Sequence, residues 1–202
     1  MTHTTTTTAA SNSFSAGQSG VLRNIAAVAI GSLFVAACAH ISVPLFFTPI
    51  PVTLQPFAVL LLGLLLEPTV ASAALMLYLL EGLAGAPVFT PQGPLGILRI
   101  LGPTGGYLLS YPLVAALTSM LYRRLRLTAF RSALIAAGLG SLVILTIGAT
   151  WFAFVSHQSA YTVFSLAVVP FLPGDVLKVI AAAGVASGIA SFRQRLHRES
   201  SL

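Results

Sequence analysis

The chain has 202 residues, 56 % of them hydrophobic and 7 % charged, with a net charge of +6. A soluble globular domain carries about 25 % charged residues, so the composition excludes an ordinary soluble domain and predicts an integral membrane protein with little mass outside its spans. The positive charge lies in clusters that flank apolar runs, not on a folded basic face, which excludes a nucleic-acid partner; the single cysteine, Cys38, excludes an intrachain disulfide and a cysteine-built metal site.

Residues 1–21 are rich in Thr and Ser, lack apolar periodicity and read as a disordered tail. Residues 1–20 contain no Lys or Arg, so they make a poor secretory leader. Val35-Ala36-Ala37-Cys38 is similar to a lipobox, but residues 39–43 open no soluble mature domain, so an uncleaved first span is expected there. About 20 apolar residues cross a bilayer as a helix. By that measure the spans fall at roughly 22–41, 53–66, 69–86, 105–122, 132–155 and 160–192, the last broken by Pro170 and Pro173. The expected architecture is all-α, with six transmembrane helices over residues 22–193 and a short basic tail at 194–202.

Arg23, then Arg123, Arg124, Arg126 and Arg131, then Arg193, Arg195 and Arg198 all fall on one side of six spans. The opposite loops carry only Arg99. The positive-inside rule then puts both termini in the cytoplasm. The opposite side also holds two Pro/Gly-rich loops, at 43–52 and 87–104. Irregular backbone near a membrane persists where it is buried in protein or lines a cavity.

Ala27 and Gly31 on the first span are four residues apart, as are Ser32 and Ala36. Small residues at this spacing let helices approach closely, either within the chain or against a partner.

Six polar groups lie outside the basic fringe: Gln55, Glu81, Arg99, Tyr107, Asp175 and Lys178. Asp175 and Lys178 sit in Pro173-Gly174-Asp175-Val176-Leu177-Lys178, on one face of a helix that starts just before the Asp. Ionisable groups at membrane depth are costly and usually mark a functional site; a structural ion pair is the plainer reading. All six fall toward the outer leaflet and predict one outward-opening polar pocket. Carboxylates and an amide accept N–H donors, and a Lys or Arg holds a carboxylate. The set suits a small amphipathic acid with an amide-like head. Glu81 as an interfacial carboxylate, Arg99 as a snorkelling loop residue and Tyr107 as a belt aromatic are the plainer alternatives.

The chain has no P-loop, no His-Glu-x-x-His and no Gly-x-Ser-x-Gly. It is therefore read as no enzyme, with no catalytic residue, metal or cofactor.

Four blocks carry a family resemblance: Ile50-Pro51-Val52-Thr53-Leu54-Gln55, Tyr78-Leu79-Leu80-Glu81-Gly82, Gly102-Pro103-Thr104-Gly105-Gly106-Tyr107, and Pro170-Phe171-Leu172-Pro173-Gly174-Asp175 with Lys178. In this order they resemble the BioY family, the biotin-specific S components of energy-coupling-factor (ECF) transporters, over residues 22–192. The resemblance implies a six-helix S-component fold in a bacterial plasma membrane, with an outward biotin site covered by loops. It maps ligand contacts most directly onto Gln55, Asp175 and Lys178, and places Glu81 and Arg99 near the family's polar contacts. It implies a membrane coupling subunit and two cytoplasmic ATPases as partners, with the small-residue face of the first helix meeting the coupling subunit. Biotin's ureido ring offers N–H donors to Asp175, Glu81 and Gln55. Its valerate suits Lys178 or Arg99, and Phe46, Phe47, Phe89 and Trp151 are candidate walls for its apolar ring. The segment Thr90-Pro91-Gln92-Gly93-Pro94 departs from the family's Gly-rich pattern. An S component for another vitamin, or an intramembrane enzyme, is the alternative.

Overall fold

The structure, a computed structural model, describes residues 8–199. Eight helices and one two-residue ladder make up the described chain: α1 (Thr8–His40), β1 (Ser42–Val43), β2 (Val52–Thr53), α2 (Gln55–Leu65), α3 (Pro68–Leu83), α4 (Ile97–Leu101), α5 (Gly105–Arg124), α6 (Ala129–Ser156), α7 (Ala160–Ala167) and α8 (Leu172–Glu199). Pro56 and Pro68 sit in the first turns of α2 and α3, where a missing N–H costs nothing and the fixed φ suits a helix start. α6 ends at His157, which adopts the left-handed conformation.

Several sequence expectations change. The helix α1 begins at Thr8, inside the stretch read as a disordered tail; residues 1–7 lie outside the described residues. Once the apolar part of α1 has nucleated a helix, each preceding residue adds a backbone bond at small entropic cost. The stretch 194–199 likewise continues α8. The 43–52 loop closes as a hairpin, Ser42 opposite Thr53 and Val43 opposite Val52, so the fold is all-α apart from this ladder. The 87–104 loop contains the one-turn helix α4. The last apolar region breaks at Pro170 as expected, between Ala167 and Leu172, but Pro173 sits in the first turn of α8 and does not break it.

Three helical stretches are long and apolar enough to cross a membrane: Gly20–His40, Ala129–Ser156 and Leu172–Leu196. α2 and α3 are shorter apolar helices. Exposed Ile30 and Leu33 on α1, Leu139 and Leu142 on α6, and Val176, Leu177 and Ile180 on α8 form apolar outer faces, as lipid contact requires. The chain is a membrane protein.

Inside, the helices meet over small residues. α2 is the central helix, buried from Ala58 to Leu64 and packed on α5 and α8. Its Gly63 and Gly140 of α6 both press on Thr118 of α5, with Gly63 2.9 Å and Gly140 2.5 Å from it at the position a Cβ would take. The Thr118 hydroxyl is buried there without a hydrogen-bond partner. α2, α5 and α8 carry Gln55, Tyr107 and Asp175 near their starts, so these helices set the candidate site at one end of the bundle.

Candidate functional site

The start of α2, the start of α5, α4 and the Pro/Gly-rich loops enclose a small cavity at that end. Its lining includes Thr53, Gln55, Phe89, Thr90, Arg99, Tyr107, Tyr111 and Phe171. The cavity holds about 50 Å³, room for a few waters and well below the ~300–1,000 Å³ of typical ligand pockets. A second hollow of about 220 Å³ lies beside it under the loops, lined by Pro44, Thr48, Gln92, Gly93 and Leu98. Pro51, Arg99 and Thr104 line both.

Arg99 is the wall between the two hollows. It is 6 % exposed, and its guanidinium donates to the carbonyl and the hydroxyl of Thr90. Its Nε is buried without a partner, and no carboxylate pairs with it among the described residues. Burial pushes its pKa below the ordinary arginine value, though an arginine stays charged in proteins. Gly93 (φ +100°) and Gly96 (φ +65°) let the loop fold tightly around it: a Cβ at Gly93 would stand 2.5 Å from an Arg99 nitrogen, and L residues with side chains rarely adopt such φ. The snorkelling alternative for Arg99 is therefore set aside, because its head is buried under the loop.

Gln55 is buried, donating from Nε2 to the Tyr78 hydroxyl at 2.5 Å and accepting from Thr53 at 3.2 Å. Its carbonyl oxygen has a second lone pair to offer the cavity. Tyr78 stacks edge-on with Phe89 at 5.4 Å, and a Cβ on Gly82 would overlap the Phe89 ring. The Tyr107 ring lines the cavity, while its hydroxyl donates to the Ala167 carbonyl at 2.6 Å, tying α5 to α7. Tyr107 is thus a buried wall and tether, not a belt aromatic.

Asp175 and Lys178 are buried, and their side chains pair at 2.9 Å. Neither lines the small cavity; Phe171, one turn before Asp175, does. Asp175 instead borders an apolar groove between α6 and α8. The pair follows Phe171 in the chain, and the Asp175 N–H donates to the Phe171 carbonyl at 2.8 Å. Glu81 is also outside the cavity: half-buried on α3, it accepts a 2.5 Å hydrogen bond from Ser32 of α1. Three of the six expected site residues, Gln55, Arg99 and Tyr107, thus line the cavity; Asp175 and Lys178 pair with each other just beyond the wall residue Phe171, and Glu81 faces α1.

Among the expected walls, Phe89 lines the cavity. Phe46 and Phe47 are exposed on the hairpin loop, and Trp151 donates to the Gly102 carbonyl at 2.9 Å, anchoring the start of α5. Sequence reasoning missed Tyr111 and Phe171. Tyr111 is one helical turn after Tyr107, which puts both rings on one face of α5; that spacing was a readable signal.

Gly31, Ser32 and Ala36, expected on a partner-docking face, are buried within the chain, with Gly31 2.9 Å from Ala74 of α3 at the Cβ position. Ala27 is half-buried. The small residues here serve the α1–α3 contact.

The BioY family model matches residues 4–195. Among relatives, a probable biotin transporter BioY of Pyrococcus horikoshii is 37 % identical over 164 residues, covering 79 % of this chain and 93 % of that protein. A biotin transporter BioY of Thermotoga maritima is 33 % identical over 166 residues, covering 82 % and 94 %. A crystal structure of the S-component for biotin from an ECF-type ABC transporter superposes with a TM-score of 0.78 at 26 % identity, over 86 % of this chain and 93 % of that one. The matched length takes in every residue of the cavity and the Asp175–Lys178 pair, and on it the chain belongs to the BioY family.

Proposed function

We propose that the chain is a biotin-binding S component of an ECF-type transporter, a substrate-binding subunit with no ATPase of its own. The observation that carries the reading is Arg99, a buried guanidinium without an acid partner among the described residues, set between two hollows under the loops of a BioY-family bundle. A ligand carboxylate would supply the missing anion. Lys178 is already neutralised by Asp175, so the valerate is assigned to Arg99. The Asp175–Lys178 pair and Gln55 are assigned to the ureido head, reached when Phe171 swings aside. The small cavity requires such a movement, because a bicyclic acid does not fit in about 50 Å³.

The topology proposed with this function is six spans, α1, α2, α3, α5, α6 and the α7–α8 region, with the site facing outward and both termini in the cytoplasm. The Arg clusters at 123–131 and 193–198 support it. A membrane coupling subunit and two cytoplasmic ATPases are the proposed partners. With Gly31, Ser32 and Ala36 packed inside, Ala27 is the residue of the expected docking face that still has an outward side.

Equilibrium binding of labelled biotin to the detergent-purified chain tests the function. Saturable binding displaced by unlabelled biotin and not by thiamine or riboflavin is expected. Binding of another vitamin in its place, or none at all, would overturn the assignment.

A further inference from the structure

At the end of the bundle opposite the cavity lies a second polar hollow, of about 170 Å³, lined by Leu64 and Leu65 of α2, Tyr122 and Arg123 of α5, and Ala186, Ile189, Ala190 and Arg193 of α8. Arg193 is fifteen residues beyond Lys178, about 22 Å along α8. Two guanidinium groups from separate helices therefore face one hollow. No carboxylate lines it, and neither Arg is ion-paired among the described residues; Arg123 has only a 3.3 Å bond to the Ser119 hydroxyl. Both are exposed at the rim of the hollow, and like charges lining one site repel, a repulsion that an anion bound between them relieves. Arginine pairs with phosphate oxygens in bidentate fashion. The rest of the wall is aliphatic except for Tyr122, an amphipathic ring suited to a membrane interface. The hollow thus joins a cationic mouth to an apolar lining at the end of membrane-embedded helices, as basic pockets between helices do when they take lipid headgroups.

We propose that this hollow seats the phosphate of an anionic phospholipid, with its glycerol and upper acyl chain against Leu64, Leu65 and Ile189. The site is distinct from the vitamin cavity. It clamps α2, α5 and α8 together at their far ends.

The test uses the full-length chain, stripped of lipid in neutral detergent, with phosphatidylglycerol, phosphatidylcholine or inorganic phosphate added. Retained lipid is read by native mass spectrometry and stability by thermal unfolding. Phosphatidylglycerol is expected to be retained and to raise Tm by about 5–10 °C at saturation, with no comparable effect of phosphatidylcholine. R123Q/R193Q should lose both effects. R124Q/R126Q, which removes equal charge outside the hollow, should keep them. Equal loss in the two double variants would mean diffuse surface attraction and overturn the site. If phosphate alone reproduces the stabilisation, the site takes a free anion and the lipid assignment fails. If R123Q/R193Q retains lipid like the parent but no longer co-purifies with the coupling subunit, the hollow is a protein interface and the proposal is wrong.

Discussion

Arg99 concentrates the chemistry of the candidate site. Its charge is buried, its Nε is unpartnered, and its remaining bonds go to neutral oxygens of Thr90. Arg99→Gln should weaken biotin binding about 10- to 100-fold, the value of a hydrogen bond to a charged group. Biotinamide, which lacks the carboxylate, should be nearly indifferent to the change. Lys178→Ala should instead weaken biotin and biotinamide alike, because it leaves Asp175 as an uncompensated buried charge. Isothermal titration of both ligands against both variants separates the roles, and the opposite pattern would return the carboxylate to Lys178. Gly82→Ala is a third residue-scale prediction. A methyl there occupies the Phe89 ring position, and overpacking of this kind costs about 1–3 kcal/mol. Phe89 packs on Tyr78 and lines the cavity, so displacing it should lower both Tm and biotin affinity; an unchanged affinity would show that Phe89 is not part of the site. The sequence displayed Arg99, Gln55 and the Asp175–Lys178 spacing, since polar residues in apolar surroundings stand out. It did not display who pairs with whom. Glu81 looked equivalent to Asp175, and only the α1–α3 packing shows it turned toward Ser32.

Among the elements, the two Pro/Gly-rich loops are tied to each other by side chains. Ser42 of β1 donates to the Gln92 side chain at 2.9 Å. Gln92 belongs to the proline-bearing segment at 90–94, and its neighbour Gly93 presses on Arg99. Gln92→Ala should release this latch, speeding biotin dissociation severalfold with little change in association. Stopped-flow chase of a fluorescent biotin analogue measures both rates, and an unaltered dissociation rate would dismiss the latch. Deeper in the bundle, Thr118 packs its unpartnered hydroxyl between Gly63 and Gly140. Thr118→Val keeps the shape and removes the unsatisfied group, so stability should rise by about 1 kcal/mol. A lower Tm would show that the hydroxyl is bonded. The positions of the long apolar helices α1, α6 and α8 were legible because apolar runs bounded by Pro, Gly and Arg mark them directly. The hairpin and α4 were not, because two-residue strands and one-turn helices depend on tertiary contacts more than on local pattern. The small-residue pattern of α1 was visible too, but spacing alone cannot say whether a helix of the same chain or of a partner fills it.

At the scale of the whole molecule, the charge asymmetry is the main orienting device. A reporter fused after Leu202 should be active in the cytoplasm and silent outside, because in the proposed six-span topology the Arg groups at 123–131 and 193–198 share one face. The reverse activity would overturn the proposed topology and, with it, the outward direction of the site. Ala27→Trp should weaken co-purification with the coupling subunit while leaving biotin binding intact. Gly31→Trp is expected to fail differently, by unfolding the chain, since Ala74 already stands 2.9 Å from the position of its first side-chain atom.

One dimension of the bundle has a further consequence. α3 has 16 residues, about 24 Å of helix, against a hydrocarbon core of ~30 Å. Its exposed side, with Ala73, Met76 and Leu80, is in the proposed topology a lipid-facing span roughly 6 Å too short. Bilayers answer such hydrophobic mismatch by thinning around the short face. In that topology the protein carries its own annulus of compressed membrane on the α3 side, and reconstitution into shorter-chain lipids should relieve that compression and prolong its lifetime, while thick bilayers should drive neighbouring copies together along this face.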